Sequence, residues 1–277
     1  MTAQHHAFGQ ISTAPGPVHR MQAFFHGQAY APHRHDTYTF GLTTRGVQSF
    51  DYRGSARHSL PGELVVLHPD ELHDGRAGTE DGFAYRSISI EPSAIQAALN
   101  GKPLPFVPDG VSRDPRLIAV VAALLRDFDH ALHPLEYEDV IFDLAAVLGS
   151  IGESPDPSTS RDYIAAESAR DYVHAHLGDK VSMDDLEAAT GRDRWQLARD
   201  FRAFFGTSPY RYLMMRRIDQ AKSEILAGRN FASTAYASGF ADQSHLNRQF
   251  KQTVGLTPKA WKSVMLQTRP TGRTIVQ

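Results

Sequence analysis

Two sets of side chains in this 277-residue sequence have the types and the spacing to do chemistry. In the first, Trp195, Arg199 and Arg202 follow i, i+4, i+7 spacing, and Ser244, Arg248 and Lys251 repeat it 49 residues later. That spacing sets each trio on one face of a helix. The chemistry it offers is base reading: arginine pairs in a bidentate way with guanine, asparagine or glutamine with adenine, and an indole can lie against thymine methyls. In the second set, His33-Arg34-His35 is followed by His73 after a turn-rich stretch. Two imidazoles at i and i+2 share one face of a strand. Three neutral imidazoles can hold a divalent metal with one position open; alternatively, with Tyr38 and Phe40, they line or rim a pocket for a small effector. His68 is an outside fourth candidate, and His5 and His6 read as arm residues.

The elements that must position the first set form an internal repeat. Asp193–Leu213 aligns with Asp242–Lys262 in one register: Asp193 with Asp242, Leu197 with Leu246, Arg199 with Arg248, Phe201 with Phe250, Gly206 with Gly255, Pro209 with Pro258 and Tyr212 with Trp261. Each aspartate is placed to cap a helix start. Leu197, Phe201, Phe204 and Phe205 form a core stripe opposite the polar trio, and Leu246, Phe250 and Val254 repeat it. A short helix and a glycine turn precede each copy. These are Met183–Thr190 with Ser182 as N-cap and Gly191 as turn, then Phe231–Ala237 with Ser238-Gly239-Phe240. Helix, tight turn and outward-facing second helix make a helix-turn-helix. The segment Pro209–Ala227 joins the two units as one helix. Recognition helices fixed in this way can enter successive major-groove segments about 34 Å apart.

Residues 30–90 carry short runs of β-branched and aromatic residues punctuated by Gly and Pro, which predict a sandwich or barrel. Two amphipathic helices follow, Pro115–Ala131 and Leu135–Gly152, the first capped by Asp114 with Pro115 at its first position. The polar, Pro/Ser-rich stretch 153–161 is the expected linker. The expected fold class is therefore α+β. A β-barrel over about 18–105 and a helix pair over about 114–152 form an N-terminal domain, 1–152. An all-α domain, 162–268, holds two helix-turn-helix units at about 182–205 and 230–254.

Composition bounds the rest. Hydrophobic residues make up 41% and charged residues 22%, as in globular chains. Cysteine is absent, which removes disulfides, thiolate metal sites and cysteine catalysis. No apolar run approaches the roughly 18 residues of a membrane span, and no secretory segment is evident, so a cytoplasmic location without membrane attachment is expected. Residues 1–160 hold 11 basic and 19 acidic side chains, whereas 161–277 hold 18 and 12. A basic half behind an acidic one points to a polyanionic partner for the basic half.

The stretches LARDFRAFFGTSPYRYLMMRRIDQAK and ASGFADQSHLNRQFKQTVGLTPKAW resemble the DNA-binding domain of the AraC/XylS family of bacterial regulators, over some 100 residues. Thr234 is a departure, because the family usually has an apolar residue there. The resemblance implies first-unit contacts by Trp195, Gln196, Arg199 and Arg202 and second-unit contacts by Gln243, Ser244, His245, Asn247 and Arg248; Arg194 and Lys251 complete the candidate DNA-binding set. The H-x-H…P-G-E-L…H pattern in front resembles the cupin barrel and the cupin-like sensor of the same family, which usually lacks a metal. Tyr38 and Phe40 occupy the stretch where the cupin pattern has a ligating Glu. No cofactor is therefore expected, and His33, His35 and His73 are the residues that would hold a metal. The function implied is sequence-specific, effector-responsive transcription regulation, activation in preference to repression, without enzymatic activity. Double-stranded DNA, a small-molecule effector, a second copy of the chain and, for an activator, RNA polymerase are the expected partners. The alternatives are a cupin-type metalloenzyme with a helical appendage and a DNA-binding regulator with no small-molecule effector.

Overall fold

Alternation in FAYRSISI sets Phe83, Tyr85, Ser87 and Ser89 on one face of a strand and Ala84, Arg86, Ile88 and Ile90 on the other. In the computed structural model, which describes residues 9–152 and 161–267, this strand is central to the N-terminal domain. His5, His6 and linker residues 153–160 lie outside the described residues. The strands are β1 (Gly9–Thr13), β2 (Arg20–Phe25), β3 (Gln28–His33), β4 (Tyr38–Gly46), β5 (Gln48–Tyr52), β6 (Ser55–Ser59), β7 (Leu64–Leu67), β8 (His73–Ala77) and β9 (Phe83–Ile90). Helix α1 (Pro92–Ala98), strand β10 (Val111–Ser112) and helices α2 (Pro115–Leu124) and α3 (Pro134–Ile151) follow. One sheet runs β1-β2-β9-β4-β7-β10 and the other β3-β8-β5-β6. The pairings are antiparallel. The sheets face each other: the Tyr30 and Tyr85 hydroxyls meet at 2.8 Å, and those of Thr43 and Ser59 at 2.7 Å.

The six-stranded sheet buries its other face under the helices. Tyr38, Phe40, Ile88 and Ile90 pack there with Leu117, Val121, Leu144 and Leu148. This corrects the expectation that Tyr38 and Phe40 line a pocket. Both point away from the space between the sheets; Phe40 is fully buried, and the Tyr38 hydroxyl donates to the Pro105 carbonyl at 2.8 Å. The alternate residues Thr39 and Thr43 face inward instead.

Helix α2 also ends at Leu124, short of the expected Ala131. The buried Arg20 guanidinium donates to the carbonyls of Leu124, Asp127 and His130. The Asp127 carboxylate accepts from the N–H groups of Asp129 and His130. These bonds satisfy the chain in a turn and remove the helix's advantage.

The C-terminal domain consists of α4 (Tyr163–Ala175), α5 (Met183–Thr190), α6 (Arg194–Phe205), α7 (Pro209–Leu226), α8 (Phe231–Ala237), α9 (Gln243–Val254) and α10 (Pro258–Gln267). The two helix-turn-helix pairs share one core. Leu186, Leu197, Phe201 and Phe205 from the first unit join Ala235, Leu246, Phe250 and Trp261 from the second, on either side of Leu213, Ile218 and Ile225 of α7. No helix among the described residues is long and apolar enough to cross a membrane.

Candidate nucleic-acid interface and sensor site

Helices α6 and α9 start and stop on the same chemistry. The Asp193 carboxylate accepts from the N–H groups of Trp195 and Gln196, and that of Asp242 from the N–H of His245. Gly206 and Gly255 close them at φ 73° and 76°, the left-handed region in which a side chain is disfavoured. Between caps, each helix separates its faces. Leu197, Phe201, Leu246 and Phe250 are fully buried. Trp195, Gln196, Arg199, Arg202, Gln243, Ser244, Asn247, Arg248 and Lys251 are exposed. Trp195 is 69% exposed, so it is a surface side chain rather than part of the core. A large aromatic ring left in water beside arginines favours an external partner.

Two of the expected contacts have other work. Arg194 donates to Asp184 at 2.5 Å and to the carboxylate of Glu187, tying the start of α6 to α5. His245 is half-buried, edge-on to Phe240 with ring centroids 5.3 Å apart. A second tie is the Arg192–Asp200 pair at 2.9 Å, in which the carboxylate is almost fully buried on the inner side of α6. Nothing in the sequence spacing marks these pairs as positioning residues, because their partners meet only after the turn forms.

His33, His35 and His73 come together at one end of the sheet pair, although only His33 and His73 lie in strands. Their ring centroids are 4.4 Å (33–73), 4.8 Å (35–73) and 6.2 Å (33–35) apart. Each Nδ1 stands 2.9 Å from a backbone carbonyl, of Ala31, Thr37 and Glu71 respectively. A carbonyl only accepts, so each Nδ1 carries the proton and each Nε2 keeps its lone pair. Burial lowers all three pKa values, that of His35 to about 3, so the cluster is uncharged at neutral pH. Thr39 extends the polar end, its hydroxyl 3.4 Å from both His35 Nε2 and the Ser89 hydroxyl. Such a cluster offers acceptors to a neutral donor-bearing molecule. Among the described residues, no group of three or more His, Cys, Asp and Glu side chains is arranged to hold a metal ion.

His68 does not belong to this cluster. Its Nε2 accepts from the Val107 N–H at 2.9 Å and its Nδ1 meets the Tyr52 hydroxyl at 2.7 Å, so both nitrogens are spent on the core. Sequence reasoning missed Thr39, Tyr30 and Tyr85 as inward residues. The period-two pattern of FAYRSISI was the available signal for Tyr85. A separate open groove of about 500 Å³ lies on β1, β2, β4 and β9, with Ser12, Gln22, Phe24 and Arg86 among its lining.

Comparisons with known proteins match both domains and the fold as a whole. Residues 17–145 match the model of the AraC-like ligand binding domain, and residues 186–263 that of a helix-turn-helix domain. An uncharacterized HTH-type transcriptional regulator of Bacillus subtilis (strain 168), YbfI, is 28% identical over 243 residues, covering 79% of this chain and 82% of that protein. The HTH-type transcriptional activator AarP of Providencia stuartii is 26% identical over 92 residues, 33% of this chain and 68% of AarP. Among solved structures, ToxT of Vibrio cholerae O395 shares the fold with a TM-score of 0.61 at 14% identity, over 92% of this chain and 97% of ToxT. A ToxT structure with a bound unsaturated fatty acid has a TM-score of 0.60 at 13% identity, over 95% and 97% of the two chains.

Proposed function

We propose, for a chain that belongs to the AraC family of DNA-binding transcription regulators, that α6 and α9 enter successive major-groove segments on one face of DNA. The observation that carries this reading is the exposed polar face repeated on the two capped helices. Arg199 and Arg248 are the principal base readers, with Trp195, Gln196, Gln243, Ser244 and Asn247 beside them. Arg202 and Lys251 lie nearer the helix ends and suit phosphates. Arg194 acts mainly by holding α6 against α5.

The N-terminal domain, proposed to span residues 1–152 with the linker at 153–161 and the DNA-binding domain at 162–268, senses a small organic molecule. His33, His35, His73 and Thr39 supply its polar contacts. The structure of ToxT, a protein of the same fold, with a bound unsaturated fatty acid supports an effector in this architecture. Helices α2 and α3 form a homodimer contact, supported by Leu135 and Phe142 standing 65% and 63% exposed on α3. Activation through contact with RNA polymerase in the cytoplasm completes the reading.

The test is selection of genomic fragments with purified protein, followed by footprinting with wild type and Arg199→Ala. A protected site of about 20 base pairs per monomer, spanning two groove segments, is expected. Weak binding that is equal on all sequences and abolished by moderate salt would reduce the interface to its charge.

A further inference from the structure

The two domains meet on a surface that lies away from the base-reading faces of α6 and α9. Its sensor side is a lip made of residues 31–36, at and beyond the end of β3, and residues 68–71, between β7 and β8. The two segments are tied together: the Asp70 N–H donates to the His35 carbonyl at 2.7 Å, and Arg34 donates to the Asp70 carbonyl at 2.5 Å.

The DNA-binding domain rests on this lip at the C-terminal ends of both recognition helices. A Cβ built on Gly206, which closes α6, would stand 2.7 Å from the Pro69 Cβ. One built on Gly255, which closes α9, would stand 3.3 Å from the Ala31 carbonyl oxygen and 3.5 Å from the His33 Cβ. The Leu104 N–H donates to the Ala203 carbonyl of α6 at 3.0 Å. Between these points α7 lays Arg216 against the Asp36 carboxylate and Arg211 against that of Asp70, the latter at 2.6 Å. The Asp36–Arg216 pair is withdrawn from water, with side chains 8% and 16% exposed, and Asp219 and Glu91 flank the guanidinium at 3.0 and 3.8 Å. Removing one partner of a desolvated pair costs far more than removing one of an exposed pair, and neutralising Arg216 would leave the buried Asp36 carboxylate without its partner.

We infer that this lip is the transmission surface between sensor and reader, and that Arg216, held by Asp36, is the residue that positions the DNA-binding domain on it. The inference rests on the effector reading above, and it adds a route. His33 and His35 belong to the first lip segment, and the second leads directly into His73. A molecule bound across the three imidazoles therefore touches the first piece directly and, through His73, the strand into which the second piece runs. Binding shifts the reader to the extent that the molecule favours one arrangement of the lip over another.

The test uses the full chain with Asp36→Asn, Arg216→Gln, Arg216→Lys and the Asp36→Asn/Arg216→Gln double variant. Amide hydrogen exchange over 31–36, 68–71, 203–208 and 253–258 is expected to rise at least about tenfold in either single neutralisation, with the double variant no faster than the singles. Arg216→Lys is expected to fall between wild type and Arg216→Gln. Affinity for the selected DNA site is expected to change at least about threefold in the same variants, although none removes a DNA contact. Asp36→Asn carries the test if Arg216→Gln unfolds the helical domain, because it lies in the other domain. Unchanged exchange at the four segments, or effects of the singles that simply multiply in the double variant, would overturn the inference. Absence of sequence preference in the wild type would instead sink the regulator reading, and the exchange data would still decide the docking.

Discussion

On α6, Trp195 and Arg199 stand in water while Leu197 and Phe201, two positions on from each, are fully buried. At the end of the sheet pair, the imidazoles of His33, His35 and His73 hold their own loops through Nδ1 and, in the function proposed above, offer Nε2 to a ligand. In the reader, stability and recognition occupy opposite faces of one helix and are separable by mutation. In the sensor they share the same rings. The first arrangement lets recognition vary without touching the fold. The second makes the sensing residues costly to change, and it also makes the fold responsive to what they bind or to their protonation.

The largest effect expected in the sensor is that of His68→Ala, which probes how far its core rests on buried imidazoles by removing a ring with both nitrogens engaged. Val107 N–H and the Tyr52 hydroxyl lose their partner and a cavity opens, so a loss of about 3–4 kcal/mol is expected in urea unfolding of the sensor. A cost under about 1 kcal/mol would show that the sensor core does not depend on its polar groups. Arg199→Ala should do the reverse. Specific DNA affinity should fall by about 10- to 100-fold while the unfolding midpoint stays put, because the side chain is exposed. If thermal stability fell with affinity, the two faces of α6 would not be separable.

Proton uptake sharpens the comparison. His35 and His68, both lowered to about 3, and His73, also lowered, stay neutral in the folded sensor. In the unfolded chain they take up protons below the ordinary value of 6.5. Their contribution is therefore complete above pH 6.5 and declines as the pH falls below it, for His35 and His68 down to about pH 3, by about 1.4 kcal/mol per pH unit for each group. Unfolding of the sensor followed between pH 7.5 and 5 should show this slope, and its removal in His68→Ala should lower it by one group. The smallest effect concerns Thr234, fully buried on α8 with a hydroxyl that has no hydrogen-bond partner. Thr234→Val should raise the stability of the reader by about 1 kcal/mol, read as a higher melting temperature with unchanged DNA affinity. A decrease would mean that the hydroxyl is satisfied in solution.

Much of the reader was legible in the sequence because its determinants are local. Asp193, Gly206, Asp242 and Gly255 mark helix ends by their own side-chain and backbone preferences, and the 3.6-residue period assigns each neighbour to a face. The sensor was less legible. The type of its strands was readable, but the side of β4 that Tyr38 and Phe40 occupy depends on which face meets the helix pair, and a shift of one residue reverses every assignment. The end of α2 was hidden for a related reason: Arg20, more than a hundred residues upstream, supplies the donors that replace the helical turn.

The sequence by itself determined the two capped recognition helices, their turns and the helix that joins them, because capping, glycine conformation and amphipathic period act within a few residues. It also brought His33 and His35 into one neighbourhood. Only the tertiary structure decided which barrel residues face inward, which arginines are spent on carboxylates, and where the lip carrying Asp36 meets Arg216. Those outcomes depend on strand register and on contacts between residues up to 180 positions apart, for which no local preference exists.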